Sequence, residues 1–268
     1  MFENIIKNVH NRHPLIHCIT NYVSINDCAN IVLACGGAPI MAEDINEVSQ
    51  ITSICQGLDI NIGMLNDNKL SSMLKAGATA NELGIPVILD PVGAGSSDYR
   101  IKAVQNLMSN VQFGVIRGNV SEIKAIAAKQ GIHNIAAGVY ETMQKNKSAM
   151  GVEAGIADKI TDDNIKEMAD FINKLSQKTG AVIAVTGGID MVADENRVYA
   201  IRNGHKMMSL VTGAGCQLSA LTSAYVAADK EHILESVCAA VSVMGISGEL
   251  AYLSLIHISE PTRPRLIS

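Results

Sequence analysis

Six residues, Val211-Thr212-Gly213-Ala214-Gly215-Cys216, open directly into the apolar stretch Leu218 to Ala228. They offer chemistry that does not depend on a basic side chain. A glycine-rich turn feeding a helix leaves backbone N–H groups unpaired at the positive end of the helix dipole. Such a turn can hold phosphate. Glycine before a helix is also ordinary loop chemistry, so the run gains meaning from two companions. These are Asp90-Pro91-Val92-Gly93-Ala94-Gly95 and Arg117-Gly118-Asn119-Val120-Ser121-Glu122, each following a hydrophobic run that reads as a strand.

The chain around them has 268 residues, which suits one large α/β domain over residues 1–253. With 48% hydrophobic and 18% charged residues it can bury a sizeable core. A net charge of −5 argues against broad binding to nucleic acid or an anionic membrane, which needs a basic field. A phosphorylated small molecule remains compatible, because backbone amides and magnesium can meet its charge locally. The six cysteines form no CxxC pair and no metal-finger spacing with histidine. The start Met1-Phe2-Glu3-Asn4 lacks a signal-peptide pattern, so reduced thiols in a cytoplasmic protein are expected. The uncharged window Met207 to Ala228 is long enough to span a bilayer, but Gly213, Gly215 and Gln217 interrupt it. It reads as a buried helix behind a polar loop, with no membrane partner.

Strand-like and helix-like segments alternate along the chain. Helix is expected over 26–35, with a short strand at 38–41 after Gly36-Gly37. Asp44 should start a helix, with Glu47 as its capping-box partner. A strand at 58–62 precedes a helix over 67–83 that ends at Gly84, and a buried strand covers 86–89. Ser97 should cap a helix to about Asn110. A strand at 113–116 and a helix over 120–129 follow, and 133–155 reads as a variable connection. A long amphipathic helix begins at Thr161-Asp162-Asp163 and reaches about Lys178. Strands at 181–185, around Met191 and at 198–201 lead to the turn Asn203-Gly204, and helices over 215–228 and 233–252 complete the pattern. The alternation implies a mostly parallel sheet with helices on both faces. Ligands then bind beyond the carboxyl ends of strands, where all three glycine motifs fall. From about Ser254 the pattern changes, and Pro261 and Pro264 stand close together. Residues 254–268 read as a non-native tail that does not continue the preceding helix.

Two common nucleotide sites are demoted. Neither Gly93-Ala94-Gly95-Ser96-Ser97-Asp98 nor Gly213-Ala214-Gly215-Cys216-Gln217-Leu218 completes G-x-G-x-x-G, and no P-loop Gly-Lys-Ser/Thr occurs. The three motifs in their order resemble the ribokinase-like superfamily. The match narrows with His17-Cys18-Ile19-Thr20-Asn21-Tyr22-Val23, Asn26, Ala29-Asn30 and Gly36-Gly37-Ala38-Pro39-Ile40-Met41-Ala42. Together with Asn61-Ile62-Gly63 and Ile116-Arg117-Gly118-Asn119-x-x-Glu122-Ile123, these resemble the hydroxyethylthiazole kinase family over roughly residues 10 to 253.

That resemblance implies a ribokinase-like fold and ATP-dependent phosphorylation of the primary alcohol of 4-methyl-5-(2-hydroxyethyl)thiazole, a step toward thiamine phosphate. It implies that Gly213, Ala214, Gly215 and Cys216 form an anion hole for the transferring phosphoryl group. Gly213 would also lie against the substrate, and Met41 would contact the thiazole through its polarizable thioether. Arg117 and Thr186 match positions that contact ATP, one as a permanent cation and one as a hydroxyl donor. Asp90 and Glu122 are candidates for organising Mg2+, partly through water. A homotrimer with thiazole sites at subunit boundaries is also implied.

Plainer readings stand beside these. Asp90 could cap a turn, and Glu122 could stabilise a helix start. Cys216 occupies the place where many ribokinase-like kinases carry an aspartate base. A thiol at a helix N-terminus can have a lowered pKa and accept the alcohol proton, or it can simply shape the anion hole. Cys28 and Cys35, seven apart, read as packing on one helix face. His17 reads as a hydrogen-bonded structural histidine, and His205 as turn chemistry. The faces of the helix beginning near Asp162 read as solvated charge. Competing functions are a related kinase acting on hydroxymethylpyrimidine or a sugar, and a nucleotide-binding protein without turnover.

Overall fold

A computed structural model describes residues 2–132 and 159–258, with side chains described to Ser254. The expected connection at 133–155 and the tail from Ser259 lie outside the described residues.

Eight strands form one sheet: β1 (Leu15–Ile19), β2 (Ala38–Ile40), β3 (Gly57–Asn61), β4 (Val87–Asp90), β5 (Val115–Asn119), β6 (Val182–Thr186), β7 (Asp190–Ala193) and β8 (Val198–Ile201). Their order is β2-β1-β3-β4-β5-β6-β7-β8. The first six are parallel, and β7 and β8 are added antiparallel. Runs such as Val87-Ile88-Leu89 in β4 are apolar on both faces because helices cover both sides of the sheet.

One face packs against α3 (Val48–Ile54), α4 (Asp67–Glu82), α5 (Asp98–Asn110), α6 (Val120–Lys129) and α7 (Ile165–Thr179). Its core joins Leu58, Ile60, Leu89 and Ile116 to Met73, Leu107, Ile126 and Phe171. The other face packs against α1 (Phe2–Arg12), α2 (Ile25–Ala34), α8 (Ala214–Ala228) and α9 (Ile233–Ile258). Ile16, Ile88 and Val115 meet Val9, Val32, Ala220, Ala224 and Val237 there. Alternation along β4 makes the division visible: Val87 and Leu89 point one way, Ile88 and Asp90 the other.

Helix α8 lies between the sheet and α1, α2 and α9, and from Leu218 to Ala228 every residue is buried. This explains its uncharged sequence, as expected of a core helix. A different segment, Ile233–Ser254 of α9, is long and apolar enough to cross a membrane, and half of that window is buried against the rest of the fold. All six cysteines are free.

Local expectations fail where side chains choose other partners. Asp44 does not start α3: its carboxylate accepts the amide of Asn46 at 2.8 Å, forming a turn, and the helix begins at Val48. Glu47 makes no side-chain cap. Helix α7 begins at Ile165 because Asn164 folds back, its Oδ1 accepting the Thr161 amide at 2.8 Å. Strand β5 continues through Arg117, Gly118 and Asn119 rather than ending at Ile116. Cys28 is buried as expected, whereas Cys35 is the half-buried C-cap of α2. Helix α9 reaches Ile258. Leu255-Ile256-His257-Ile258 contains neither glycine nor proline, so the chain has no local reason to leave the helix at Ser254.

Candidate active site

The parallel strands β3 to β6 end at one edge of the sheet with polar residues: Asn61, Asp90, Asn119 and Thr186 are their last members. Above this edge the chain turns at Gly213 into α8. Gly213 has φ +77°, and a Cβ there would lie 2.6 Å from Ser24 Cβ, so both backbone conformation and space demand glycine. It is the N-cap residue but has no side chain with which to cap the helix. The Ala214 amide donates to the Val211 carbonyl at 3.3 Å, so of the expected anion-hole amides those of Gly215 and Cys216 are the potential donors.

Arg117 approaches this turn from β5. A Cβ on Gly215 would stand 2.7 Å from Arg117 Nη1, so the glycine admits the guanidinium against the helix start. Arg117 Nη2 donates to Thr186 Oγ1 at 2.5 Å, and Nη1 lies 3.7 Å from Asp90 Oδ1. The guanidinium is nearly buried, and its Nε has no partner.

Asp90 is fully buried at the end of β4. Its Oδ2 accepts Asn61 Nδ2 at 2.8 Å and Ser219 Oγ at 2.9 Å, while Oδ1 has no hydrogen-bond partner. Burial raises its pKa; the Arg117 charge and the two donated bonds pull it back. Glu122 fulfils the plainer reading and adds to it. Its Oε2 accepts the Asn119 amide at 2.8 Å in a capping box, and its Oε1 accepts the Gly93 amide at 2.8 Å, tying the second glycine motif to the third. Burial, then the Asp90 charge, raise its pKa against those amides and Arg117.

Cys216 is buried beneath the turn, and its Sγ accepts from Asn21 Nδ2 at 3.2 Å. Burial raises the thiol pKa, and the nearby Asp90 charge raises it further, against bonds from Ser24, Asn61 and Asn21. Burial, the largest cause, therefore moves the thiol in the direction opposite to the lowering that a helix N-terminus favours.

Direct contacts thus join Asp90, Arg117, Thr186 and Gly215, and Glu122 is linked to them through Gly93. Met41 stands apart, just past the end of the edge strand β2. Three strand positions separate it from β4, about 14 Å at ordinary spacing. It packs on the core cluster that contains Cys216 and Cys28. His17 is structural: its ring bonds Thr52 Oγ1 at 2.9 Å and the Ala42 carbonyl at 2.8 Å, holding the segment after Met41. His205 Nδ1 accepts the Met207 amide at 3.3 Å, in keeping with turn chemistry, and its ring stacks on Tyr252.

The hydrogen-bonded chain Asn21–Asn61–Asp90–Ser219 is a set that local sequence pattern does not group. Asn21 Nδ2 donates to Asn61 Oδ1 at 3.1 Å, which extends the network to Cys216. Two signals could have found its members: an asparagine inside the run Leu58-Asp59-Ile60-Asn61-Ile62, and a serine one helical turn beyond Gly215.

This arrangement is a cation and free helix amides converging beside a buried carboxylate, at the carboxyl edge of a parallel sheet. It is suited to holding an anion whose charge changes during reaction. The sequence model of the hydroxyethylthiazole kinase family matches residues 6–257. A hydroxyethylthiazole kinase of Clostridium acetobutylicum is 52% identical over 94% of this chain and 86% of its own. The structure of a hydroxyethylthiazole kinase from Pyrococcus horikoshii is 32% identical, with a TM-score of 0.79 over 94% of this chain and 86% of that one. A ribokinase-like superfamily protein from Enterococcus faecalis, 11% identical, shares the fold with a TM-score of 0.59 over 93% of this chain and 82% of its own. The glycine turn, the sheet that carries it and the match along almost the whole chain lead to one assignment: the protein belongs to the hydroxyethylthiazole kinase family.

Proposed function

We propose that the protein transfers the terminal phosphoryl group of ATP to the primary alcohol of 4-methyl-5-(2-hydroxyethyl)thiazole. The observation that carries this is the Arg117 guanidinium seated against Gly215, bonded to Thr186 and facing the unpartnered oxygen of Asp90. Amides of Gly215 and Cys216, with Arg117, stabilise charge on the transferring group. Thr186 accepts from Arg117, which leaves its own hydroxyl hydrogen free to donate to the nucleotide. Phosphoryl transfer asks mainly for such positioning and charge neutralisation.

Asp90 Oδ1 suits Mg2+: it is buried, accepts no hydrogen bond, and has the Arg117 guanidinium 3.7 Å away rather than in contact. Glu122 has one amide on each oxygen, so it fits a water-mediated role better than direct ligation. Among the described residues no group of three or more His, Cys, Asp or Glu gathers to hold a metal. A magnesium ion here would complete its shell with water and phosphate oxygens, and would supply charge neutralisation. Buried and held by Asn21, the Cys216 thiol serves to shape the anion hole, and burial, by raising its pKa, disfavours it as the base; the alcohol proton then leaves through phosphate or water.

The acceptor side is completed at a subunit boundary in a homotrimer. Met41 lies just past the edge strand β2, and the exposed apolar residues Val23 and Val211 lie on the two segments that meet at the Gly213–Ser24 contact. We read residues 1–253 as one kinase domain in a cytoplasmic protein; α9 carries the chain on to Ile258, so residues 254–258 extend the domain's last helix rather than open a separate tail. Sedimentation of the full chain beside one ending at Leu253 tests both readings: two trimers are expected, and monomers in both contradict the assembly. The activity is tested by incubation with Mg-ATP and the thiazole alcohol. Mass spectrometry should find the thiazole monophosphate; its absence, with phosphorylation of hydroxymethylpyrimidine or ribose instead, overturns the assignment.

A further inference from the structure

Lys69 lies in the first turn of α4, where its amide donates to Asn66 Oδ1 at 2.9 Å, and it is only 4% exposed. This is an unfavourable place for a cation. The helix dipole presents its positive end there, and burial removes the ammonium from water. Its partners come from two other segments. Nζ lies 2.8 Å from Glu43 Oε2, donates to the Thr20 carbonyl, and stands 4.7 Å above the Tyr22 ring. The Tyr22 hydroxyl donates to the second Glu43 oxygen, closing the group.

These partners flank the acceptor side. The Thr20 carbonyl belongs to the peptide leading into Asn21, which donates to Cys216 Sγ and Asn61 Oδ1. Glu43 follows Met41 by two residues. Tyr22 and Val23 are more than half exposed, so little apolar burial holds their loop. The nucleotide-side residues Arg117 and Thr186 lie on β5 and β6 and are joined to each other directly.

Resting on the proposed thiazole-alcohol reaction, we propose that Lys69, clasped by Glu43 and Tyr22, is a positioning residue that fixes the acceptor-side wall of the site. It sets affinity for the alcohol and leaves affinity for the nucleotide alone. The clasp joins the segment carrying Asn21 to the segment carrying Met41; Asn21 reaches the glycine turn through Cys216, while Arg117 and Thr186, on the nucleotide side, are bonded to each other on β5 and β6.

Lys69→Met keeps the length and apolar stem while removing the charge. Glu43→Gln, at the more exposed end of the pair, serves as a milder second variant if Lys69→Met misfolds. KM for the thiazole alcohol should rise roughly tenfold, while KM for ATP moves by less than about twofold. Amide exchange should quicken in residues 20–24 and 41–44. An unchanged alcohol KM, or equal rises in both KM values, overturns the clasp. Wild-type protein that makes no thiazole phosphate refutes the proposed activity and this role with it. Active wild type with unaltered variants refutes the clasp alone.

Discussion

Gly213 and Gly215 stand two residues apart in one turn, yet alanine at each should fail in a different way. At Gly215 a Cβ would meet the tip of Arg117 at 2.7 Å, the far end of a flexible side chain. The guanidinium can swing away, at the loss of its 2.5 Å bond to Thr186. That loss is worth about 1–3 kcal/mol, against a helix-propensity gain of about 1 kcal/mol for alanine over glycine. The net stability change should stay below about 2 kcal/mol, a Tm shift of a few degrees. Catalysis should suffer far more, because the cation no longer faces the transferring group: kcat should fall about 100-fold or more. At Gly213 the same substitution meets Ser24 Cβ at 2.6 Å with φ at +77°. Left-handed backbone costs about 1–2 kcal/mol, and the clash with an anchored Cβ another 1–3 kcal/mol. Gly213→Ala should therefore lower Tm clearly. The assay pairs thermal unfolding with steady-state phosphorylation at varied ATP. The reasoning is refuted if Gly215→Ala keeps kcat within about threefold of wild type, or if it destabilises as severely as Gly213→Ala.

Three other substitutions probe the remaining groups. Asp90→Asn retains an oxygen for Asn61 and Ser219 but removes the charge facing Arg117; it should fold, lose about 100-fold or more in kcat, and resist rescue by added Mg2+. Cys216→Ser should keep turnover within about tenfold with an unaltered pH profile, because the thiol pKa is raised by burial; loss of a limb in which activity rises with pH would instead reveal a thiolate base. Asp190 accepts the Gly187 amide at 2.8 Å beside Thr186, and burial raises its carboxyl from 3.8 to about 6 against that bond and the Arg117 charge. A raised carboxyl pKa favours the fold fully below the unfolded value, and that advantage is lost as pH rises through about 6. Asp190→Asn should therefore gain stability over wild type as pH climbs from about 4 to 7, by at most about 3 kcal/mol; urea unfolding across that range that shows no growing difference would contradict the assignment.

Much of the fold was legible because apolar runs are punctuated by residues with one structural meaning. Gly84 at φ +63° ends α4, Ser97 caps α5 by accepting the Arg100 amide, and Asn119 with Glu122 closes a capping box at α6. The same kind of reasoning failed at Asp44, where a nearer amide on Asn46 captured the carboxylate before any helix could use it. The order of strands was not readable, since placing β1 between β2 and β3 depends on crossovers with no local signature. Within the site, the glycine motifs announced where an anion could sit, but their wiring lay beyond local pattern. Ser219 and Asp90 are 129 residues apart, and Asn21 and Cys216 are 195 apart. Cys216 shows the limit most clearly: its helix-terminal position is visible in the sequence, whereas the burial that raises its pKa belongs to the folded core.

The central claim is that the Gly213–Cys216 turn, with Arg117 against it, cradles the phosphoryl group in transit. A crystal structure with Mg2+ and a nonhydrolysable ATP analogue measures this directly. The terminal phosphorus should lie within about 4 Å of the Gly215 and Cys216 amide nitrogens, with Arg117 turned toward its oxygens. A terminal phosphate bound elsewhere, with Arg117 still held on Thr186 and the turn unoccupied, would contradict the account.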